Sequence, residues 1–281
     1  MQNGRTLRWY GYLGLLLIML AELNFRLVIQ PFADWYIVVV WTGYILFVDS
    51  LVYLAKGKSL ISSYTKEFVF VVLVSLPFWS IFEFYNLFSH SWHYVNYPWY
   101  VHPFDFLTIL PAILETFTLL SALNVWSGLD SGKLKPRRVS LRGVNAIRLL
   151  AALGVVMMVL PAISGPSGFV LMWMGMCFLF DPLNYLTGRP SLISKASQGR
   201  KSIMAQLATA GVFVGFFWEF WNHQAYPMWF YTLPSFIINV KLFEMPLEGY
   251  IGYTGFGISA FLFYAFFRGF VFRKRNSLLS M

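Results

Sequence analysis

The chain has 281 residues, of which 58% are hydrophobic and only 12% charged, and its mean hydropathy is +0.62. A soluble domain carries roughly twice that share of charge, so a water-soluble globular enzyme is excluded. The net charge of +9 reads as the basic collar of a membrane protein rather than a nucleic-acid footprint, and no nucleic-acid partner is expected.

Eight apolar runs reach the ~18–20 residues that cross a bilayer. In chain order they fall at about 9–29, 35–55, 67–88, 105–127, 144–163, 168–187, 203–222 and 246–267. The expected fold is therefore an all-α polytopic integral membrane protein. The first run is too long for the apolar core of a signal peptide, and it is expected to be retained. Arg5 and Arg8 precede the first span, Lys56, Lys58 and Lys66 follow the second, and Lys133, Lys135, Arg137, Arg138 and Arg142 follow the fourth. Arg189, Lys195, Arg200 and Lys201 follow the sixth, and Arg268, Arg273, Lys274 and Arg275 follow the eighth, whereas the opposite loops carry only Lys241. Both termini are expected on the cytoplasmic side, in a bacterial cytoplasmic (inner) membrane.

The loops on the other side have a different character. Residues 89–103 and 223–240 are rich in Trp, Tyr, His and Pro and hold all four histidines, His90, His93, His102 and His223. Such aromatics suit the membrane interface. The single cysteine, Cys177, has no partner for a disulfide or a metal site.

The two halves of the chain repeat one another. Residues 41–62 match 173–194, with Trp41, Gly43, Asp49, Leu51, Tyr53 and Leu54 recurring 132 positions later. Phe-Glu-Phe-Tyr-Asn (82–86) answers Trp-Glu-Phe-Trp-Asn (218–222), and Trp92-x-Tyr94 answers Trp229-x-Tyr231. Leu-Pro-Ala-Ile-Leu-Glu (110–115) is set against Met-Pro-Leu-Glu (245–248). The expected organisation is two four-helix units, 1–132 and 133–281. An even number of spans gives both units the same orientation, with their axis along the membrane normal. A cavity between such halves is the default ligand site.

Each half then repeats one polar set: an Asp in its second span (Asp49, Asp181), Glu-x-x-Asn in its third (Glu83/Asn86, Glu219/Asn222) and an acid after proline in its fourth (Glu115, Glu248). Residues at i and i+3 share one helix face, and acids at membrane depth mark function. Structural readings stand beside the functional ones. Asp49 and Asp181 suit caps or partners for the nearby basic loops. Asn86 and Asn222 suit interhelical hydrogen bonding, Glu244 suits the headgroup region, and Glu22 with Arg26 suits an i, i+4 ion pair. Asparagine stands where the di-iron signature Glu-x-x-His requires histidine, so neither a metal nor a cofactor is expected.

Phe217-Trp218-Glu219, Trp229-x-Tyr231 and Met245-Pro246-Leu247-Glu248, taken in order, resemble the lycopene cyclase domain of the membrane-embedded, non-flavin carotenoid cyclases, to which carotenoid hydratases are related. Gly249 stands where that family has a second glutamate. The resemblance implies a membrane enzyme that protonates a carbon–carbon double bond of a carotenoid or other isoprenoid lipid. Burial raises a Glu pKa by up to ~3–5 units, enough to keep an acid protonated. The resulting cation is stabilised by aromatic faces at ~2 kcal/mol or more when desolvated. The resemblance implies Glu248 as proton donor, with Glu219 or Glu244 as its partner or as the base. Glu83 and Glu115 would serve a second site or support the first. Trp218, Trp229, Tyr231, Tyr250, Asn222 and Asn86 would meet the substrate. The expected partners are membrane lipids and an apolar isoprenoid, and a homo-oligomer is compatible. A proton- or cation-coupled transporter and a non-catalytic lipid-binding scaffold are the alternatives.

Overall fold

The computed structural model describes residues 5–131, 141–232 and 240–272, with Ser277 and Leu279. Of the basic residues counted above, Lys133, Lys135, Arg137, Arg138, Arg273, Lys274, Arg275 and the side chain of Arg142 lie outside the described residues. The helices are α1 (Trp9–Leu27), α2 (Tyr36–Lys56), α3 (Leu60–Ser63), α4 (Thr65–Ser89), α5 (His102–Ala122), α6 (Leu141–Val159), α7 (Pro161–Ser164), α8 (Phe169–Leu186), α9 (Leu192–Ser197), α10 (Ser202–Asn222) and α11 (Leu247–Val271). Strand β1 (Trp92–Val95) follows α4, and β2 (Met228–Tyr231), β3 (Lys241–Leu242) and β4 (Met245–Pro246) lie between α10 and α11.

Seven described helical stretches are long and apolar enough to cross a membrane: Trp9–Leu27, Tyr36–Lys56, Thr65–Ser89, His102–Ala122, Gly143–Ser164, Ser202–Asn222 and Leu247–Val271. The protein is a multi-pass, mostly helical membrane protein. The remaining expected span, 168–187, forms α8, whose first two side chains fall outside the described residues.

The packing follows from where small residues and aromatics fall. α1 lies against α2 and α6 against α8, while α4, α5, α10 and α11 build the middle of the molecule. Close approach is made possible by glycine. A Cβ on Gly14 of α1 would stand 2.5 Å from the Gly43 carbonyl of α2, and one on Gly211 of α10 would stand 2.0 Å from the Tyr253 carbonyl of α11. Aromatic rings such as Phe78, Phe82, Phe256 and Phe263 fill the space between the central helices.

The two aspartates hold the short helices that connect long ones. Asp49 accepts from the Ile61 amide (2.9 Å), the Ser59 hydroxyl (2.6 Å) and the Tyr10 hydroxyl (2.6 Å). Asp181 accepts from the Leu192 and Ile193 amides at 2.6 and 3.1 Å. These bonds satisfy the free amides of α3 and α9, in the manner of helix capping. Glu22 and Arg26 form no ion pair. Glu22 instead accepts from the Trp221 indole on α10 at 2.9 Å, and Arg26 lies over Phe25.

The aromatic loops contain a β ribbon that the purely helical expectation omits. β1 and β2 pair antiparallel, with Trp92 opposite Tyr231 and Tyr94 opposite Trp229. The ribbon joins segments far apart in the chain and roofs one end of the central helices.

Candidate functional site

The ribbon is fixed to the helices by the two asparagines. Asn86 accepts from the Trp92 amide (3.1 Å) and donates to its carbonyl (2.9 Å). Asn222 does the same with Trp229, at 2.7 Å in both directions. A side-chain amide is the group that can replace a neighbouring strand by offering one donor and one acceptor. Asn86 and Asn222 therefore hold the tryptophan backbones, and neither is among the residues that line the cavity beneath.

The two glutamates one turn earlier bind the same ring systems. Glu83 accepts from the indoles of Trp79 (2.8 Å) and Trp92 (3.2 Å) and from the Tyr94 hydroxyl. Glu219, fully buried, accepts from Tyr231 (2.7 Å) and Tyr253 (2.5 Å). Trp92 and Trp229 donate in turn to Tyr94 and Tyr231, at 3.2 and 2.8 Å. The donor from outside the ribbon differs between the two places. Trp79 supplies it in α4; in α10 the position one turn before Glu219 is Gly215, where a Cβ would meet the Tyr253 ring at 2.3 Å. The glycine leaves room for Tyr253 to reach Glu219. Burial pushes the phenols of Tyr94 and Tyr231 well above their ordinary value, and the carboxylates of Glu83 and Glu219 add to it. Both phenols therefore keep their protons and act as donors.

Beneath the ribbon lies a cavity of about 710 Å³, within the size range of small-molecule sites. Six tryptophans face it: Trp41, Trp79, Trp92, Trp173, Trp218 and Trp229. Four tyrosines (Tyr94, Tyr97, Tyr231, Tyr253) and Phe106 and Phe256 complete the aromatic wall. Neighbouring rings interlock, with Trp218 5.4 Å from Trp79, 5.7 Å from Trp41 and 5.8 Å from Trp229 between centroids.

Two carboxyls line this cavity, Glu248 and Asp105. Glu248 is in the first turn of α11, and its Oε2 is buried without a hydrogen-bond partner. Asp105 is in the first turn of α5 and only 8% exposed. Its Oδ2 accepts from the Tyr97 hydroxyl, and its Oδ1 is buried without a partner. Burial drives the Tyr97 phenol well above its ordinary value, with Asp105 adding to the effect, so Tyr97 also remains a donor.

Asp105 is the residue that sequence comparison missed. The acid set against Glu248 was Glu115, on the strength of Pro111. In the structure Pro111 and Glu115 sit in the middle of α5, and Glu115 is fully buried away from the cavity lining with neither oxygen bonded. The α5 opening, Pro103-Phe-Asp105, carries the same proline-x-acid pattern as the α11 opening, Pro246-Leu-Glu248. That pattern, proline-x-acid following Trp-x-Tyr, was the available signal. Ser75 of α4 steadies this end of α5: its hydroxyl donates to the Phe106 carbonyl and accepts from the Leu110 amide at 2.9 Å.

The remaining expected site residues are placed elsewhere. Glu244 pairs with His223 at 3.1 Å and is not among the cavity residues. Tyr250 donates to the Leu242 carbonyl at 3.0 Å, outside the lining. Glu219 and Glu83 stand behind the wall rather than in it. Trp218, Trp229, Tyr231 and Glu248 do line the cavity. Among the described residues, no group of three or more His, Cys, Asp and Glu side chains is placed to hold a metal ion. No family model, no curated protein and no solved structure matches the chain.

Proposed function

We propose that this protein is a membrane enzyme of carotenoid or related isoprenoid metabolism that protonates a carbon–carbon double bond, as a cyclase or hydratase does. The observation that carries the reading is an aromatic cavity of about 710 Å³ lined by two acidic residues, Glu248 and Asp105, each with one buried carboxyl oxygen that no described group bonds. An apolar chain end fits such a space, and the rings offer π faces to the cation that protonation creates. Each desolvated cation–π contact supplies ~2 kcal/mol or more.

Glu83 and Glu219 act through the rings. Among the described residues neither pairs with a lysine or arginine; their partners are indole N–H and phenol O–H groups. A carboxylate accepting such a bond polarises the ring and enriches its face in electron density. The carboxylates thus favour positive charge in the cavity without touching the substrate.

The chain is read as two copies of one four-helix unit, residues 1–132 and 133–281, giving eight spans with both termini cytoplasmic. Support comes from the matching bonds of Asp49 and Asp181 to short helices, of Asn86 and Asn222 to tryptophans, and of Glu83 and Glu219 to tyrosines. In the ribbon, the pairs Trp92–Tyr231 and Tyr94–Trp229 interchange under a two-fold axis, as two such units would require. The cavity then lies on that axis, on the outer side of a bacterial cytoplasmic membrane.

The test is pigment and lipid analysis, by chromatography and mass spectrometry, of cells that make an acyclic carotenoid. The cells are compared with the protein, without it, and with Glu248→Gln. A cyclised or hydrated product that depends on the protein and vanishes with Glu248→Gln is expected. An unchanged profile with the protein verified in the membrane refutes the carotenoid reading.

A further inference from the structure

The cavity holds two acids, and the structure gives them unequal surroundings. Both open a helix that descends from the ribbon, and both follow a proline by two residues. Asp105 is fixed: Tyr97 donates to one oxygen, the residue lines the cavity while only 8% exposed, and the other oxygen is buried without a partner. Glu248 is half-buried, and among the described residues no group donates a hydrogen bond to it. A double-bond protonation that ends in a differently placed alkene is served by two proton-handling groups at separate points, one to give and one to take.

We propose that Asp105 is the base that removes the closing proton; this rests on the reading of Glu248 as donor. The steps balance. The Glu248 carboxyl gives its proton to one alkene carbon, so a C–H bond forms, the π bond breaks, and a carbocation and a Glu248 carboxylate result. After attack by a second double bond, or directly, the Asp105 carboxylate takes a proton from a carbon next to the cation. That C–H bond breaks, its electron pair becomes the new double bond, and Asp105 is left protonated. No electrons are gained or lost. One proton exchange with solvent, off Asp105 and onto Glu248, restores the starting state. Tyr97 is the positioning residue: it donates to Oδ2 and leaves Oδ1 without a protein partner. Neither Glu219 nor Glu244 serves as this base, because Glu219 is behind Tyr231 and Tyr253, and Glu244 is engaged by His223.

The test uses the full-length protein in proteoliposomes made in D₂O, with lycopene as the probe. Product and recovered lycopene are both read by mass spectrometry. For Asp105→Asn, product is expected to fall by about 100-fold or more, the usual contribution of a positioned acid or base. Deuterium is nevertheless expected in the recovered lycopene, because Glu248 still protonates it and the cation can only return a proton to Glu248. Asp105→Glu is expected to restore part of the product. Glu248→Gln is expected to abolish both readouts. Wild-type turnover by Asp105→Asn overturns the inference. So does loss of product and exchange together in Asp105→Asn with no rescue by Asp105→Glu, when both variants keep the wild-type melting temperature. Absence of product and deuterium with the wild-type protein instead overturns the enzyme reading and, with it, the role of Asp105.

Discussion

Gly211→Ala and Gly252→Ala should change stability in opposite directions, although both replace a glycine in a membrane helix by the better helix former. Alanine gains ~0.8–1 kcal/mol of propensity over glycine in a helix interior. At Gly252, in α11, nothing lies within 4 Å of the added methyl, so this gain is expected to survive. At Gly211, in α10, the methyl would lie 2.0 Å from the Tyr253 carbonyl and 2.7 Å from the Gly257 amide, where ordinary contact begins at 3.4 Å. These are backbone atoms of the facing helix, so no side chain can turn aside and the helices must part by more than 1 Å. Overpacking of that kind costs ~1–3 kcal/mol, and a backbone clash belongs at the upper end. The separation also pulls Tyr253 from Glu219, a bond of 2.5 Å, at about another 1 kcal/mol. The two variants are therefore expected to differ by ~3–4 kcal/mol, Gly252→Ala being the more stable. Unfolding in detergent micelles by titration with a denaturing detergent, followed by tryptophan fluorescence, measures this. Equal stability of the two variants would refute the contact between α10 and α11 on which the site depends.

Other perturbations follow from the same geometry. Asn222→Ala removes two 2.7 Å bonds to the Trp229 backbone, leaving buried peptide groups at ~1–3 kcal/mol each; hydrogen exchange of the β1–β2 ribbon should accelerate, and more than in Asn86→Ala, whose bonds are 2.9 and 3.1 Å. Glu67→Ala takes the carboxylate from Arg268, at 2.6 Å in a buried site, and should destabilise by ~3–5 kcal/mol. Because Ser277 also donates to Glu67 at 2.6 Å, Ser277→Ala alone should cost less, roughly 1.5–3 kcal/mol for a hydrogen bond to a charged group, in the same unfolding titration.

Much of this architecture was legible because membranes simplify the reading. Spans follow from apolar length, and the polar residues that remain within them are few enough to compare by eye. Glu83 with Asn86 and Glu219 with Asn222 stood out for that reason, and each pair proves to bind the same kinds of groups. The ribbon was not legible. Its strands are four residues each, inside aromatic loops whose composition already suits the interface, and the partner of each strand is in the other half of the chain. Nor were the partners of Glu22 and Glu244, because Trp221 and His223 are brought to them by packing rather than by helical spacing. Asp105 was missed for a different reason. The loop between Trp-x-Tyr and the next helix is longer before α11 than before α5, so a comparison that keeps a nearly fixed offset slides past Pro103 to Pro111. Helix openings, which geometry places at the cavity, are better anchors than prolines matched by distance along the chain.

The differences between the halves matter as much as the likeness. Two identical units around an axis would present the cavity with two identical acids, told apart only by which of them holds a shared proton. Here the acids differ in type, Asp105 against Glu248, and in support, since Tyr97 holds one and no described group holds the other. The wall differs too: Trp79 supplies the third donor to Glu83, whereas Gly215 admits Tyr253 to Glu219. A pure scaffold gains nothing from such divergence at the acids while the ribbon bonds stay alike. On the proposed enzyme reading, a substrate with a direction would account for it, because its two reacting carbons would meet different groups.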